Sequence, residues 1–331
     1  MKRFILLALT LVLVWDVQAQ NRKQLANFSQ YKHYYNPALT GYEGSVIRSL
    51  YRNQWTGFED APKTILASAE IGTGIFKGTG RKYHFRNDNR TGSLESISAK
   101  HALGLTVLSD KFGPLRETQL ALSYGSGIRL SETLSLRWGA AFTYAAHRVD
   151  GSSLNVVQKD DPRYTNLAGG NNSSSIGDIN LGLSLVSANY YLGYGMQGVT
   201  EGRLLSSGDK FMEDAHKLKH LIQAGYRQSI TDQLGFTVNA LYLNDEEKDA
   251  LLEGQVKAVY NNMFWAGAGY RNELAYNVTA GVRVNQLVIG YTYESPIQNA
   301  KAIDKATNEI TLSYILQPII SRSKSSQLSI W

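Results

Sequence analysis

The sequence predicts an all-β fold: a transmembrane antiparallel β-barrel of about 14 strands, with long extracellular loops and short periplasmic turns. Three observations predict it. Apolar and polar residues alternate with a period of two in segment after segment, which places alternate side chains on opposite faces of a sheet. The connections between those segments alternate between short and long. After the first 19 residues no apolar run approaches the roughly 18–20 needed for a membrane-spanning helix. Composition agrees. The 331 residues include 30 Gly and 20 Tyr but no Cys, charged residues are 19%, and mean hydropathy is −0.26. That charged fraction lies below the ~25% of ordinary soluble domains. Without cysteine there is no disulfide scaffold, thiolate metal site, thiol catalysis or lipoprotein anchor. A formal charge of +6 spread along the chain gives no reason to invoke nucleic acid.

The elements follow in order. Residues 1–19 read as a secretory signal: Lys2 and Arg3 form the basic region, Phe4 to Trp15 the apolar one, and Val17-Gln18-Ala19 a small-x-small cleavage site. Residues 20–44 precede the first alternating segment and are expected to form a periplasmic or lumen-facing stretch. Phe28, Tyr31, Tyr34 and Tyr35 make it too aromatic for a free tail, and Asn36-Pro37 is expected to turn it into the first strand. The barrel is expected over residues 45–316. Its segments start near Ser45, Lys63, His101, Arg116, Leu134, Ser175, Tyr190, His220, Gly235, Ala250, Met263, Tyr276, Leu287 and Ile310. Leu134–Ala146 shows the pattern, with Leu134, Leu136, Trp138, Ala140 and Phe142 alternating with Ser135, Arg137, Gly139, Ala141 and Thr143. The apolar face is expected to meet lipid, and the polar face, including Arg137, Arg227, Lys257 and Arg283, to line the lumen. Closure leaves no unpaired edge, as a lipid-embedded sheet requires.

Ser131-Glu132-Thr133, Ser187-Ala188-Asn189, Thr231–Leu234, Asn261-Asn262 and Asn285-Gln286 are tight, turn-forming links on one edge. Arg148–Ser174, Gly198–Lys219 and Glu294–Asn308 are long links on the other. Gly72–Lys100 breaks the parity: it is either a periplasmic insertion or a sign of a miscounted early strand. Aromatics near strand ends suit interfacial girdles: Tyr51 and Trp55, Tyr190 and Tyr191, Phe264 and Trp265, Tyr291 and Tyr293. Residues 317–331 form a polar tail after the last strand.

Catalytic and cofactor motifs are weak. Gly193-Tyr-Gly195-Met-Gln-Gly198 satisfies G-x-G-x-x-G but lies within and at the end of a strand with no helix behind it, where glycine more simply permits bending or close packing. His216 and His220 have helical metal spacing, but Lys217 and Lys219 between them repel a cation. A rim hydrolase would need a serine and an orienting Asn or Asp beside His101 or His147, and no motif points to one. No cofactor, metal or catalytic residue is assigned, and no enzymatic activity is expected.

The strongest local signals lie near the amino end: Phe28-Ser-Gln-Tyr31, Asn36-Pro-Ala38 with Gly41, Tyr51-Arg-Asn-Gln-Trp55-Thr-Gly57-Phe58, and Ala61-Pro-Lys-Thr64. This block resembles the opening of the PorP/SprF family, outer-membrane proteins of the type IX secretion system of Bacteroidetes. The resemblance continues through Gly104-Leu-Thr-Val-Leu-Ser-Asp110, Gly113-Pro114, Ile289-Gly-Tyr-Thr-Tyr-Glu294 and Asn308-Glu-Ile-Thr-Leu-Ser-Tyr314. The chain departs from the family at Asn308, often His there, and in the 15 residues Gln317–Trp331 beyond the final strand. The resemblance implies a multi-pass protein of the cell outer membrane that takes part in type IX secretion, with gliding as an associated activity. It implies as partners outer-membrane lipid, a secreted surface protein or adhesin, and periplasmic secretion-system and peptidoglycan-binding proteins. Phe28, Tyr31, Asn36 and Pro37, and in the first outer loop Arg52, Trp55, Phe58 and Lys63, are the partner-binding candidates. A loop that packs inward to stabilise the fold explains the latter set equally well. A general porin or small-solute uptake channel is the alternative function.

Overall fold

The computed structural model describes residues 24–73, 100–150, 173–207, 217–245, 248–297, 300, 303–316 and 330. Fifteen strands occur among them: β1 (Val46–Asn53), β2 (Lys63–Gly72), β3 (His101–Phe112), β4 (Leu115–Arg129), β5 (Ser135–Val149), β6 (Ser173–Val186), β7 (Tyr190–Gln197), β8 (Leu205–Ser207), β9 (Lys219–Ser229), β10 (Leu234–Asp245), β11 (Lys248–Tyr260), β12 (Phe264–Arg271), β13 (Ala275–Val284), β14 (Leu287–Pro296) and β15 (Thr307–Ile315). Each strand except the short β8 pairs antiparallel with the next around the circumference, and β1 pairs with β15 to close a 14-stranded barrel. β8 is a three-residue ribbon laid on the outer end of β6. Every expected strand start lies within three residues of the observed one, because the two-residue period is set by lipid on one side and lumen on the other. Among the described residues no helix is long and apolar enough to cross a membrane. The crossing is made by strands.

Both ends of the barrel sheet, Val46 and Ile315, lie opposite one another on the edge that carries the tight turns, the periplasmic edge. The parity exception resolves as an insertion. β2 and β3 pair directly from Lys63↔Lys111 to Gly72↔Ala102, so the strand count stands and the long 73–100 link lies on the periplasmic edge; residues 74–99 lie outside the described set.

The lipid face carries Ile65, Leu103, Leu105, Leu122, Leu183, Val256 and Ile310, all exposed. The opposite parity is buried and largely polar, with Arg137, Arg227, Lys257 and Arg283 all facing the lumen as expected. The girdle expectation needs correction at two positions. Tyr190 and Phe264 face lipid, but their neighbours Tyr191 and Trp265 are buried in the lumen, since consecutive strand residues cannot share a face. Trp265 and Val259 form a small apolar seat near the periplasmic mouth, and Ile330 from the tail is buried in it.

Candidate functional site: a plugged lumen and an outer rim

Residues 25–42 are buried almost throughout and lie inside the barrel, leaving a recess beside Tyr34 that is lined by Thr106, Thr143, Asp178 and Lys219. The segment begins in the outer half of the lumen. There Glu309, opposite Arg52 near the outer ends of β15 and β1, accepts the Ala26 and Asn27 N–H groups at 3.0 and 3.2 Å. It then descends to the periplasmic edge and enters β1. Short helical turns, Phe28–Gln30, Lys32–Tyr35 and Pro37–Leu39, fold it compactly enough to fit. We call it the plug.

Three kinds of wall hold it. The first is apolar. Leu50, Leu66, Leu108, Leu221 and Leu241, from β1, β2, β3, β9 and β10, point inward against the face that is otherwise polar. They cluster with Leu25, Phe28, Tyr31, Tyr34 and Tyr35. Phe28, Tyr31 and Tyr35 thereby gain a hydrophobic core inside a largely polar lumen, while Tyr31 Oη donates to the Ser49 carbonyl at 2.9 Å. Burial holds the Tyr31 and Tyr35 phenols well above their ordinary range, so both remain neutral, and Tyr35 Oη accepts from the Leu25 N–H at 3.1 Å.

The second wall is backbone. Gly125, Gly139, Gly182 and Gly195 lie side by side across β4, β5, β6 and β7. A Cβ on Gly139 would stand 2.3 Å from the Pro37 carbonyl oxygen, and one on Gly182 would stand 1.9 Å from Asn36 Oδ1. Any side chain there would displace the plug. Asn36 Nδ2 donates to Ser184 Oγ at 3.2 Å and lies within reach of the Leu183 and Tyr194 carbonyls, while its Oδ1 accepts from the Ala38 N–H at 3.0 Å. Arg137 donates from Nε to the Ala38 carbonyl and from Nη2 to the Thr40 carbonyl, at 2.9 and 2.6 Å. Asn36-Pro37 therefore docks the plug against β5–β7 and does not turn the chain into β1. That turn is made by Gly41 and Gly44, both at positive φ. The G-x-G-x-x-G motif finds its explanation here as well. Gly195 belongs to the row, and Gly198 adopts φ +71° in a loop bound by Asp178.

The third wall is charged. Lys32 pairs with Glu43, and Arg48 joins Glu43 to Glu70, which also faces His33 Nδ1 at 3.1 Å. Burial pushes the Lys32 ammonium down to about 8 against the opposing pull of Glu43. For Glu43 itself burial is outweighed by Lys32 and Arg48, which hold its carboxyl below the usual range. In the outer half Arg52 bridges Glu294 and Glu309 at 2.6 and 3.2 Å, and Arg271 bridges Glu253 and Glu294 at 3.0 and 3.1 Å.

The eight candidate residues thus fall into two places. Phe28, Tyr31, Asn36, Pro37 and Arg52 lie inside the barrel, all buried. Trp55, Phe58 and Lys63 lie on the outer rim, where Trp55 stacks edge-on against Phe58 and Phe112 at 6.3 and 5.6 Å. The loop is ordered: Trp55 and Asp60 adopt positive φ, Thr56 N–H donates to the Ala306 carbonyl, and Gly113 N–H donates to the Asp60 carbonyl. The inward leucines were not singled out in the sequence, although Arg48-x-Leu50-x-Arg52 carries the signal, an apolar residue in the polar parity. His101 Nδ1 lies 3.1 Å from Ser126 Oγ and 2.9 Å from Tyr124 Oη, with no carboxylate beside it among the described residues. Nor do three acidic or histidine side chains gather into a metal site among them.

The model of the family described as type IX secretion system membrane protein PorP/SprF matches residues 17–314. The chain belongs to the PorP/SprF family. It is accordingly a multi-pass protein of the outer membrane. No curated protein matches this PorP/SprF chain. Among solved structures it is similar to Omp33 of Acinetobacter baumannii (10% identity, TM-score 0.44, covering 82% of this chain and 96% of that one). It is also similar to the Ralstonia pickettii toluene transporter TbuX (10%, 0.44, 85% and 92%) and to a Pseudomonas aeruginosa FadL homologue (9%, 0.43, 85% and 93%).

Proposed function

We propose that this PorP/SprF barrel is a non-enzymatic component of type IX secretion that exports or retains large surface proteins such as adhesins. Its partners in this reading are the cargo at the outer rim and secretion-system and peptidoglycan-binding proteins at the periplasmic edge. The observation that carries the reading beyond family membership is the lumen occupied by the plug. A barrel whose interior is occupied by its own residues 25–42, joined to the wall by hydrogen bonds, ion pairs and a shared apolar core, is poorly suited to passive solute flow. Protein contacts at the two edges remain available to it. The ordered, exposed aromatic loop around Trp55 and Phe58 supports a cargo contact at the outer edge.

The test is a deletion strain complemented with the wild-type gene. Surface proteins are quantified by protease shaving, and small-solute uptake is measured in parallel. Loss of surface display with uptake intact is expected. Intact display with lost uptake would replace the reading with a solute channel.

A further inference from the structure

We propose that Lys63, Lys111, Arg116 and Arg148 together bind the phosphate-bearing headgroups of outer-leaflet lipid. The register places the four in one row across four consecutive strands: Lys63↔Lys111 on β2 and β3, Lys111↔Arg116 on β3 and β4, and Arg116↔Arg148 on β4 and β5. Neighbouring strands lie roughly 4.8 Å apart, so the row extends about 14 Å along the circumference. All four side chains are exposed and share the face of Ile65, Val107, Leu122 and Phe142, which meets lipid. They also sit at the outer ends of their strands, one or two outward positions beyond the apolar band, at headgroup level.

Like charges directly opposite one another on a ladder are destabilising, and here three such pairs run in succession. None of the four makes a hydrogen bond or ion pair among the described residues. The ladder neighbours at either end, Asn53 and Ser173, are uncharged, and no other described lipid-facing strand side chain carries a formal charge. Among the described residues the row is therefore confined to one arc of the barrel, and no carboxylate pairs with it. Above its first two members the β1–β2 loop borders an open recess of about 250 Å³ lined by Asn53, Phe58, Asp60, Lys63 and Lys111. The link from Gly113 N–H to the Asp60 carbonyl holds that loop in place. Asp60 is the one carboxylate lining the recess. Lysine offers point charges and arginine a planar fork to phosphate oxygens, and the acyl chains of the same lipid would lie on Ile65 and Val107 below.

The experiment titrates the full-length protein, purified in detergent and stripped of lipid, with phosphorylated lipid A and with enzymatically dephosphorylated lipid A. Bound lipid is counted by native mass spectrometry. A basic group near an anionic lipid surface contributes enough for about a fivefold loss of affinity per charge removed. Each single change, Lys63→Gln, Lys111→Gln, Arg116→Gln or Arg148→Gln, is expected to show that loss. The quadruple variant, still heat-modifiable on a gel, should lose more than tenfold, and Lys63→Arg with Lys111→Arg should retain binding. Equal binding by wild type and quadruple variant overturns the proposal. So does equal affinity for dephosphorylated lipid, or a row whose removal abolishes capture of an acidic protein while leaving lipid binding unchanged.

Discussion

Gly139 of β5 and Pro37 of the plug are in backbone contact, close enough that a Cβ on Gly139 would stand 2.3 Å from the Pro37 carbonyl oxygen. Barrel and plug are thus fitted to each other at a point where the only tolerated side chain is a hydrogen atom. Gly139→Val is expected to lift the plug while leaving the barrel closed, because the lipid face and the ladder are untouched. Single-protein recordings in planar bilayers should show conductance in the variant and little in the wild type. Gly254→Ala, whose Cβ meets nothing within 4 Å, should behave as wild type. A silent Gly139→Val variant that still folds would show that the segment does not seal the lumen.

Asn36 tests the same seat from the other side. Its Oδ1 caps the Pro37–Leu39 turn through the Ala38 N–H, and its amide holds the wall at Ser184. Loss of such a cap costs about 1 kcal/mol, so Asn36→Ala should raise hydrogen exchange at the Ala38 amide about fivefold. Asn36→Asp keeps the cap but loses the donor to Ser184 Oγ, and is expected to fall between the two. Unchanged exchange in Asn36→Ala would assign the docking to the glycine row alone.

The strands were legible because a single local rule, alternation between lipid and lumen, acts on every one of them. The plug's path was not. Leu50 and Leu108 look like interruptions of the polar parity until Phe28 and Tyr31 are seen to meet them, and that meeting joins residues distant in the chain. Gly125, Gly139, Gly182 and Gly195 are likewise unremarkable one at a time; only the register shows that they form a row. Arg52 reads as an outer-loop cation by position, yet β1 carries its side chain inward to Glu294 and Glu309. Lys63 and Lys111 are separated by the long 73–100 link, so their direct opposition is visible only in the sheet.

Lys32 gives the plug a pH dependence of unusual sign. In the docked plug burial pushes its pKa to about 8 from an ordinary value of 10.5. Between those two values the released segment binds one more proton than the docked one, so docking strengthens as pH rises through that window. Around the ammonium lie Glu43, which pairs with it, Arg48 and Arg227, which repel it, and the Tyr191 ring at 5.5 Å. Conductance events from plug opening should become rarer as pH is raised above 8, and Lys32→Met should remove that trend. More frequent opening at higher pH in the wild type would mean that the Glu43 ion pair outweighs burial.

The outer rim can be separated from the barrel by Phe58→Ser. Phe58 is exposed and packs against Trp55 on a loop whose backbone is tied to the β3–β4 turn and to Ala306. Replacing an exposed side chain away from caps and cores changes stability by about 0.5 kcal/mol or less. Heat-modifiable migration and membrane extraction should therefore match wild type. If the aromatic rim is where cargo is held, surface display of the secreted protein should fall in this variant, and further in Trp55→Ser with Phe58→Ser. Full display in the double variant, with the barrel intact, would remove the rim from cargo contact and leave its aromatics the task of ordering the loop over Lys63 and Lys111.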